Sequence, residues 1–354
     1  MATGALDILW AMLCCSRICH GVSACLLLLK TGMLLDYYDS KRCFESPYAP
    51  GNGAQRLGSI RRNRNWLLTL LLGSHFFSQL RLSPKQFAEE IVRMNEVNKT
   101  LYIPLYGKSK VSQQGIILND PSAEKIWKEE AFPIRGKSRS KWLAYNMAMR
   151  ARVFDDWTDS MLQRCRDASV LHIGCGLDSR HMRVKTPCSE WVDCDLPDVI
   201  EIRKKYFRDN ETYHMTALDA SRPEQIGTLP DCNTAIVVLE GLSMYLTNSQ
   251  IRGLLQVLDK KYREIHILMD VYTEFGVKAS KYKNPVNEVG VTKLYGIDAI
   301  GSIIDGLRIR FVKEHSFTPA ALVKELTPVE RMIFKLLFTG KLYRKIYRMY
   351  ELKA

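Results

Sequence analysis

The chain has 354 residues, 46% of them apolar, and a formal net charge of +13. That apolar fraction excludes a disordered chain, and the length suits one large domain with appendages or two domains. The charge sits at the ends: residues 1–93 carry 11 Lys and Arg against 6 Asp and Glu, and residues 331–354 carry 7 against 1. The nearly balanced middle excludes a basic nucleic-acid surface as the design of the central body.

No run of 18 apolar residues occurs, since the best, Gly21 to Leu29, stops at Lys30. A membrane-spanning helix is therefore not expected, and the absence of a basic n-region argues against a secretory leader. Five of the ten cysteines precede residue 44 and none belongs to a CxxC pair. No metal centre is expected, and reduced thiols in a cytoplasmic compartment are.

Residues 1–93 keep no period of 2 or 3.6 and are expected to form a poorly ordered extension. A sharper expectation makes them an over-extended translation, with Met94 as the true start. Glu89-Glu90 can be encoded by a purine-rich ribosome-binding tract just upstream. Peptides from before Met94 in the natural protein would refute it.

From Lys99 the pattern becomes regular. A turn-rich stretch, TLYIPLYGKSK, precedes a helix started at Asp120-Pro121-Ser122, where Pro121 suits the first turn. A long helix runs from Ser140 to about Arg164, with Leu143, Met147, Val153, Phe154, Trp157, Met161 and Leu162 on its faces. Strands are predicted at Val170–Ile173, Trp191–Asp195, Tyr213–Ala217, Thr234–Leu239, Ile265–Val271 and Ile309–Glu314. Helices are predicted at Pro197–Phe207 and from Asn248 to about Leu258. This alternation implies a doubly wound α/β sheet. The final RMIFKLLFTGKLYRKIYRMYELKA has helical spacing. It is expected to pack an Ile/Leu/Tyr face on the body, the alternative being a helix lying on a membrane surface.

Gly174-Cys175-Gly176 stands between a strand and a helix, where glycine lets backbone approach a ligand. Asp195 ends the next strand, 21 residues on. A carboxylate there accepts hydrogen bonds from both ribose hydroxyls of an adenosine, and an N-cap ahead of Pro197 is its bland role. NAD would satisfy both features, but the third glycine of GxGxxG is replaced by Ser179. A cofactor without a pyrophosphate fits better. Asp219 follows the third strand, where it either faces an adenine or starts the loop turn at Ser221.

Four stretches together resemble the leucine carboxyl methyltransferase family, including its bacterial polyketide O-methyltransferase branch. They are TLYIPLYGKSKVSQQGIILNDPSAEKIW, MAMRARVFDD, VLHIGCGLDSR with WVDCDLPDVIEIRKKYF, and LEGLSMYLT. The resemblance covers about residues 98–315. It implies a class I, Rossmann-like, mostly parallel seven-stranded sheet that binds S-adenosyl-L-methionine. The expected division is a helical cap at 94–165, a cofactor-binding core at 166–318 and a basic helical segment at 319–354.

By that resemblance Lys108 and Arg152 hold the methionine carboxylate, with Lys110 and Arg150 as rivals for those roles. Gly174 and Gly176 line the cofactor, Asp195 binds ribose, Asp219 faces adenine and Glu240 reaches the amino end or the sulfonium. Tyr245 and Met244 form pocket wall, Tyr245 being the candidate to position an acceptor. His172 is read as structural, and Asp178 and Arg180 as a helix cap and a mutual pair. The implied reaction is O-methylation of a carboxylate or hydroxyl on a small, polyketide-like acceptor. The alternatives are methylation of a protein's C-terminal leucine carboxylate, an NAD-dependent dehydrogenase, and a non-catalytic scaffold.

Overall fold

The computed structural model describes residues 99–134, 136–283 and 293–354, apart from the side chains of 281–283. The expectations for residues 1–93 lie outside the described residues.

The stretch expected to be turn-rich is a helix, α1 (Tyr102–Gln113). Pro104 is tolerated because it stands in the first turn, where a backbone N–H has no intrahelical acceptor. α2 (Pro121–Glu130) begins as predicted: Asp120 accepts from Ala123 N–H at 2.9 Å and Pro121 opens the helix. α3 (Lys141–Arg164) is the long predicted helix. Gly107 lets α1 lie close on it, since a Cβ there would stand 3.1 Å from Met147 Cβ and 3.2 Å from the Ala144 backbone.

The strands are β1 (Ser169–Ile173), β2 (Glu190–Asp195), β3 (Tyr213–Ala217), β4 (Thr234–Leu239), β5 (Glu264–Tyr272), β6 (Arg310–His315) and β7 (Tyr347–Lys353). Among the described residues they form one seven-stranded sheet in the order β3-β2-β1-β4-β5-β7-β6. The first five run parallel, and β7 pairs antiparallel with both β5 and β6. Between β2 and β3 lies α4 (Pro197–Arg203), and between β4 and β5 lies α5 (Asn248–Lys261), which opens on a Thr247/Gln250 capping box.

Both faces of β1 and β4 are buried, which explains their continuous apolar runs. Val170, Ile236, Val238 and Leu268 pack with α1 and α3 in one core. Leu171, Ile173, Val237, Leu239 and Ile267 point the other way, into a core shared with Ile251, Leu254 and Leu258 of α5. Successive residues of a strand serve opposite faces.

The C-terminal segment corrects the expectation of a terminal helix. α6 (Pro328–Phe338) buries Phe334, while Val329, Met332 and Leu336 are exposed. The chain then turns and enters the sheet as β7, so the sheet draws on residues beyond 318. Leu342, Ile346 and Tyr350 have helical spacing, but β7 gains ladder bonds on both sides between β5 and β6. Strand preference depends on such neighbours more than on local sequence.

Strand order reverses between β1 and β4. In open α/β sheets the crevice beyond the carboxyl ends of the strands at this point is where ligands bind. The glycine loop leaves β1 there, and Glu240 leaves β4 there.

Candidate active site at the carboxyl ends of the strands

The glycine loop is shaped by its backbone. Gly174 has φ +78° and Gly176 φ +52°, conformations that favour glycine. A Cβ on Gly174 would also press on Leu242, 3.1 Å from its Cδ1. The N–H groups of Gly174 and Cys175 both donate to Cys194 O, at 2.8 and 3.1 Å, tying the loop to the end of β2.

Asp195 closes β2 against that loop. Its Oδ2 accepts the Gly176 N–H at 2.7 Å and its Oδ1 the Leu196 N–H at 2.7 Å. It does not cap α4, whose N-cap is Leu196 with no side-chain bond. Among the described residues it forms no ion pair. Burial pushes its carboxyl up to about 6, with the two N–H donors pulling the other way. A half-buried carboxylate hydrogen-bonded only to N–H groups suits a ligand that brings further neutral donors. Asp219 lies on the adjoining loop, where Leu218 N–H donates to Asp195 O at 2.8 Å. Its own carboxylate takes the Ser221 N–H at 2.9 Å and sits 3.4 Å from Arg222, so it builds the loop turn.

Glu240 stands in a different environment. Arg150 Nε lies 2.9 Å from one of its oxygens, and Arg180 bonds the other. Burial alone would raise its pKa, but these two guanidinium groups bring it down to about 2. Arg150 also reaches Asp270 Oδ2 at 3.1 Å and the Tyr347 hydroxyl at 2.9 Å. Asp270 in turn accepts the Gly241 N–H at 2.6 Å and the Tyr347 O–H.

Lys108 is buried with its Nζ 3.0 Å from Asp178. Asp178 also pairs with Arg180 at 3.1 Å and Arg183 at 2.7 Å. The pairing of Asp178 with Arg180 is thus present, but the short helix after it, from Arg180 to Arg183, has no side-chain cap. Arg183 further binds Asp120 and Asp155, each at 2.6 Å, and Arg180 binds Asp155 at 2.7 Å. The start of α2, the middle of α3 and the glycine loop are therefore joined by buried ion pairs. His172 lies behind this network, 3.1 Å from Asp193 and 3.0 Å from Arg180. Burial lowers its pKa, as befits a structural, neutral imidazole.

The structure places Lys108, Arg150, Gly174, Gly176, Asp195 and Glu240 at this end, with Asp219 on its rim. It places Arg152 elsewhere. Arg152 pairs with Asp156 at 2.7 Å on a side chain 42% exposed, and Lys110 lies on the outer side of α1, near the Tyr106 ring. Two residues along a helix is a rotation of about 200°, so Arg150 and Arg152 face opposite ways. Arg150 falls on the stripe of Leu143, Met147, Phe154, Trp157 and Met161, spaced three and four apart, and Arg152 does not. That phase was available in the sequence. Asp155, Asp270 and Tyr347 were missed, because only the fold brings them to Arg180, Arg150 and Asp270, which lie 25, 120 and 77 positions away. Tyr245 lies half-buried in the turn after β4, its phenol pushed up to about 12 by burial.

The profile of the family described as leucine carboxyl methyltransferase matches residues 86–259. The tetracenomycin polyketide synthesis O-methyltransferase TcmP of Streptomyces glaucescens is 29% identical over 252 residues, spanning 69% of this chain and 92% of its own. The S-adenosyl-L-methionine-dependent methyltransferase dpfgK of Gibberella zeae is 26% identical over 190 residues, 49% of this chain and 64% of its own. Among solved structures, a putative methyltransferase from Thermobifida fusca aligns with a TM-score of 0.44 at 13% identity, over 70% of this chain and 93% of that one.

Proposed function

We propose that this chain, whose residues 86–259 match the leucine carboxyl methyltransferase family, is an S-adenosylmethionine-dependent methyltransferase that O-methylates a small, polyketide-like acceptor in the cytoplasm. The observation that carries the assignment of the site is Asp195: a half-buried carboxylate with no ion-pair partner among the described residues, bonded to the N–H of the glycine loop at the sheet's switch point.

The donor set at the strand ends fits the cofactor. Asp195 is the acceptor for ribose hydroxyls, and Asp219 borders the adenine. Arg150 and Lys108 are the cations for the methionine carboxylate, with Arg150 taking the role expected of Arg152. Glu240 is the anion for the ammonium group. Gly174 and Gly176 keep the loop free of side chains. When bound, S-adenosylmethionine supplies an electrophilic methyl group whose leaving thioether is neutral, so no residue has to protonate it.

The protein's part is orientation and exclusion of water, which together can supply most of the acceleration of such a displacement. The network around Arg150 and Arg180 holds Glu240 and Lys108 in fixed places before any ligand arrives. Preorganised charges of this kind do not have to rearrange during reaction. Glu240, Asp178, Asp155 and Asp270 are each bound by Arg side chains or by hydrogen bonds, and His172 is held behind them. None of these acids is therefore placed to take a proton from an alcohol. This supports an acceptor oxygen already ionised at neutral pH, a carboxylate or an acidic phenol. Tyr245 forms wall beside it.

Transfer of labelled methyl from S-adenosylmethionine to a panel of aromatic carboxylic acids and phenols tests the reading. Mild alkali releases methanol from an ester and leaves an ether intact. Transfer to either class supports the proposal. Transfer only to a protein's C-terminal carboxylate would refute the small-molecule acceptor.

A further inference from the structure

The amino end of β5 carries a cluster that the methyl-transfer site does not use. Glu264 and His266 alternate along β5 and so project from the same face of the sheet. Cys165 is the C-cap residue of α3, which packs on that face. Cys165 Sγ lies 3.8 Å from His266 Nε2, and His266 Nε2 lies 3.1 Å from Glu264 Oε1. All three donor atoms are within 4.8 Å of one another. Cys165 is a free thiol, half-buried, and Glu264 is open to solvent.

We propose that Cys165, Glu264 and His266 form a zinc site with one open coordination position. Tetrahedral zinc, with Zn–S near 2.3 Å and Zn–N and Zn–O near 2.0 Å, sets ligand-to-ligand edges of about 3.6 Å for S···N and about 3.3 Å for N···O. The S···N edge of 3.8 Å and the N···O edge of 3.1 Å lie within a few tenths of an ångström of these, and the S···O edge is under 4.8 Å, so modest side-chain movement would close the site. Thiolate, imidazole and carboxylate together select zinc over magnesium or calcium, which prefer oxygen alone. Binding releases the Cys165 thiol proton to solvent and takes the Nε2 lone pair, leaving the imidazole proton on Nδ1. The 3.1 Å contact with Glu264 then becomes an edge of the coordination shell rather than a hydrogen bond.

The site's position gives it a consequence. It would tie the end of α3, the helix that carries Arg150, to the start of β5, the strand that carries Asp270. Three protein ligands leave a fourth place for water. The ligands are 101 positions apart in sequence, so no cysteine spacing could reveal them, and the expectation of no metal centre rested on spacing alone.

The test uses the full-length, chelator-stripped protein under reducing conditions, titrated with cobalt(II) and then zinc. The proposal expects about one cobalt ion per chain with a thiolate-to-cobalt charge-transfer band, displaced by zinc. The band should vanish in Cys165→Ser and in His266→Ala and persist in Cys232→Ser. Zinc should also protect Cys165 of the unaltered protein from alkylation, read by peptide mass spectrometry, which does not depend on any variant folding. Absence of the band in the unaltered protein, its survival in both ligand variants, or undiminished alkylation of Cys165 under saturating zinc would overturn the proposal.

Discussion

The two ends of the parallel strands use charge in opposite ways. At the carboxyl ends, Arg150, Arg180, Arg183 and Lys108 are buried against Asp120, Asp155, Asp178, Glu240 and Asp270. At the amino end of β5, Cys165, Glu264 and His266 sit at the rim, Glu264 exposed and the other two half-buried. A buried, matched network is costly to break, because a lost partner strands a charge in low dielectric. A rim cluster costs little to alter, because water replaces the missing group. On the proposed reading, the first end links fold stability to cofactor binding.

The comparison breaks most visibly at Arg180, which is fully buried. Arg180→Met keeps the bulk and leaves Glu240, Asp155 and Asp178 short of a cation. Urea unfolding should show a loss of about 3–5 kcal/mol. A loss under about 1 kcal/mol would mean that the network relaxes and is not matched as described.

Arg150 and Arg152 sharpen the contrast within one helix. Arg150→Lys keeps the charge but loses the planar fork that spans Glu240 and Asp270, and S-adenosylhomocysteine affinity should fall about tenfold, or about 1.4 kcal/mol. Arg152→Ala removes a partly exposed pair and should leave both affinity and stability within about 0.5 kcal/mol of the unaltered protein. The reverse pattern would return the role to Arg152.

Acidification separates Asp195 from Glu240. The Asp195 carboxyl titrates at about 6, above its unfolded value, because burial disfavours its charge. As pH falls from 7 to 5 it takes up a proton. Cofactor affinity should then drop about tenfold. The same protonation relieves the burial cost, so the contribution of Asp195 to stability of the free protein rises as pH falls and is lost as pH rises through about 6. Glu240, held near 2 by Arg150 and Arg180, stays ionised throughout. Calorimetry with S-adenosylhomocysteine at the two pH values checks the sign.

The same division explains what could be read from the sequence. Val170–Ile173 and Thr234–Leu239 were legible because strands covered on both faces are apolar throughout, and Asp195 because it ends one such run. β7 was misread because Leu342, Ile346 and Tyr350 keep helical spacing until the neighbouring strands capture the segment. Lys108 and Glu240 were reachable only through family resemblance, since a single charged residue carries no spacing. Arg150 was legible in principle, from its phase on the apolar stripe of α3. Asp270 and Tyr347 were not, because their meeting is a product of β5–β7 pairing.

At the opposite end, metal-free His266→Ala should change unfolding free energy by less than about 1 kcal/mol, the ordinary cost at a surface pair. A larger loss in the chelated protein would show the rim cluster to be structural without any ion.

The central claim is that Asp195 and the glycine loop hold the cofactor. Calorimetric titration of S-adenosylhomocysteine into the unaltered protein and into Asp195→Ala tests it most directly. Saturable binding that weakens by more than tenfold in the variant is expected, because a charged acceptor of two hydrogen bonds is lost. Equal affinity in the two proteins would contradict it.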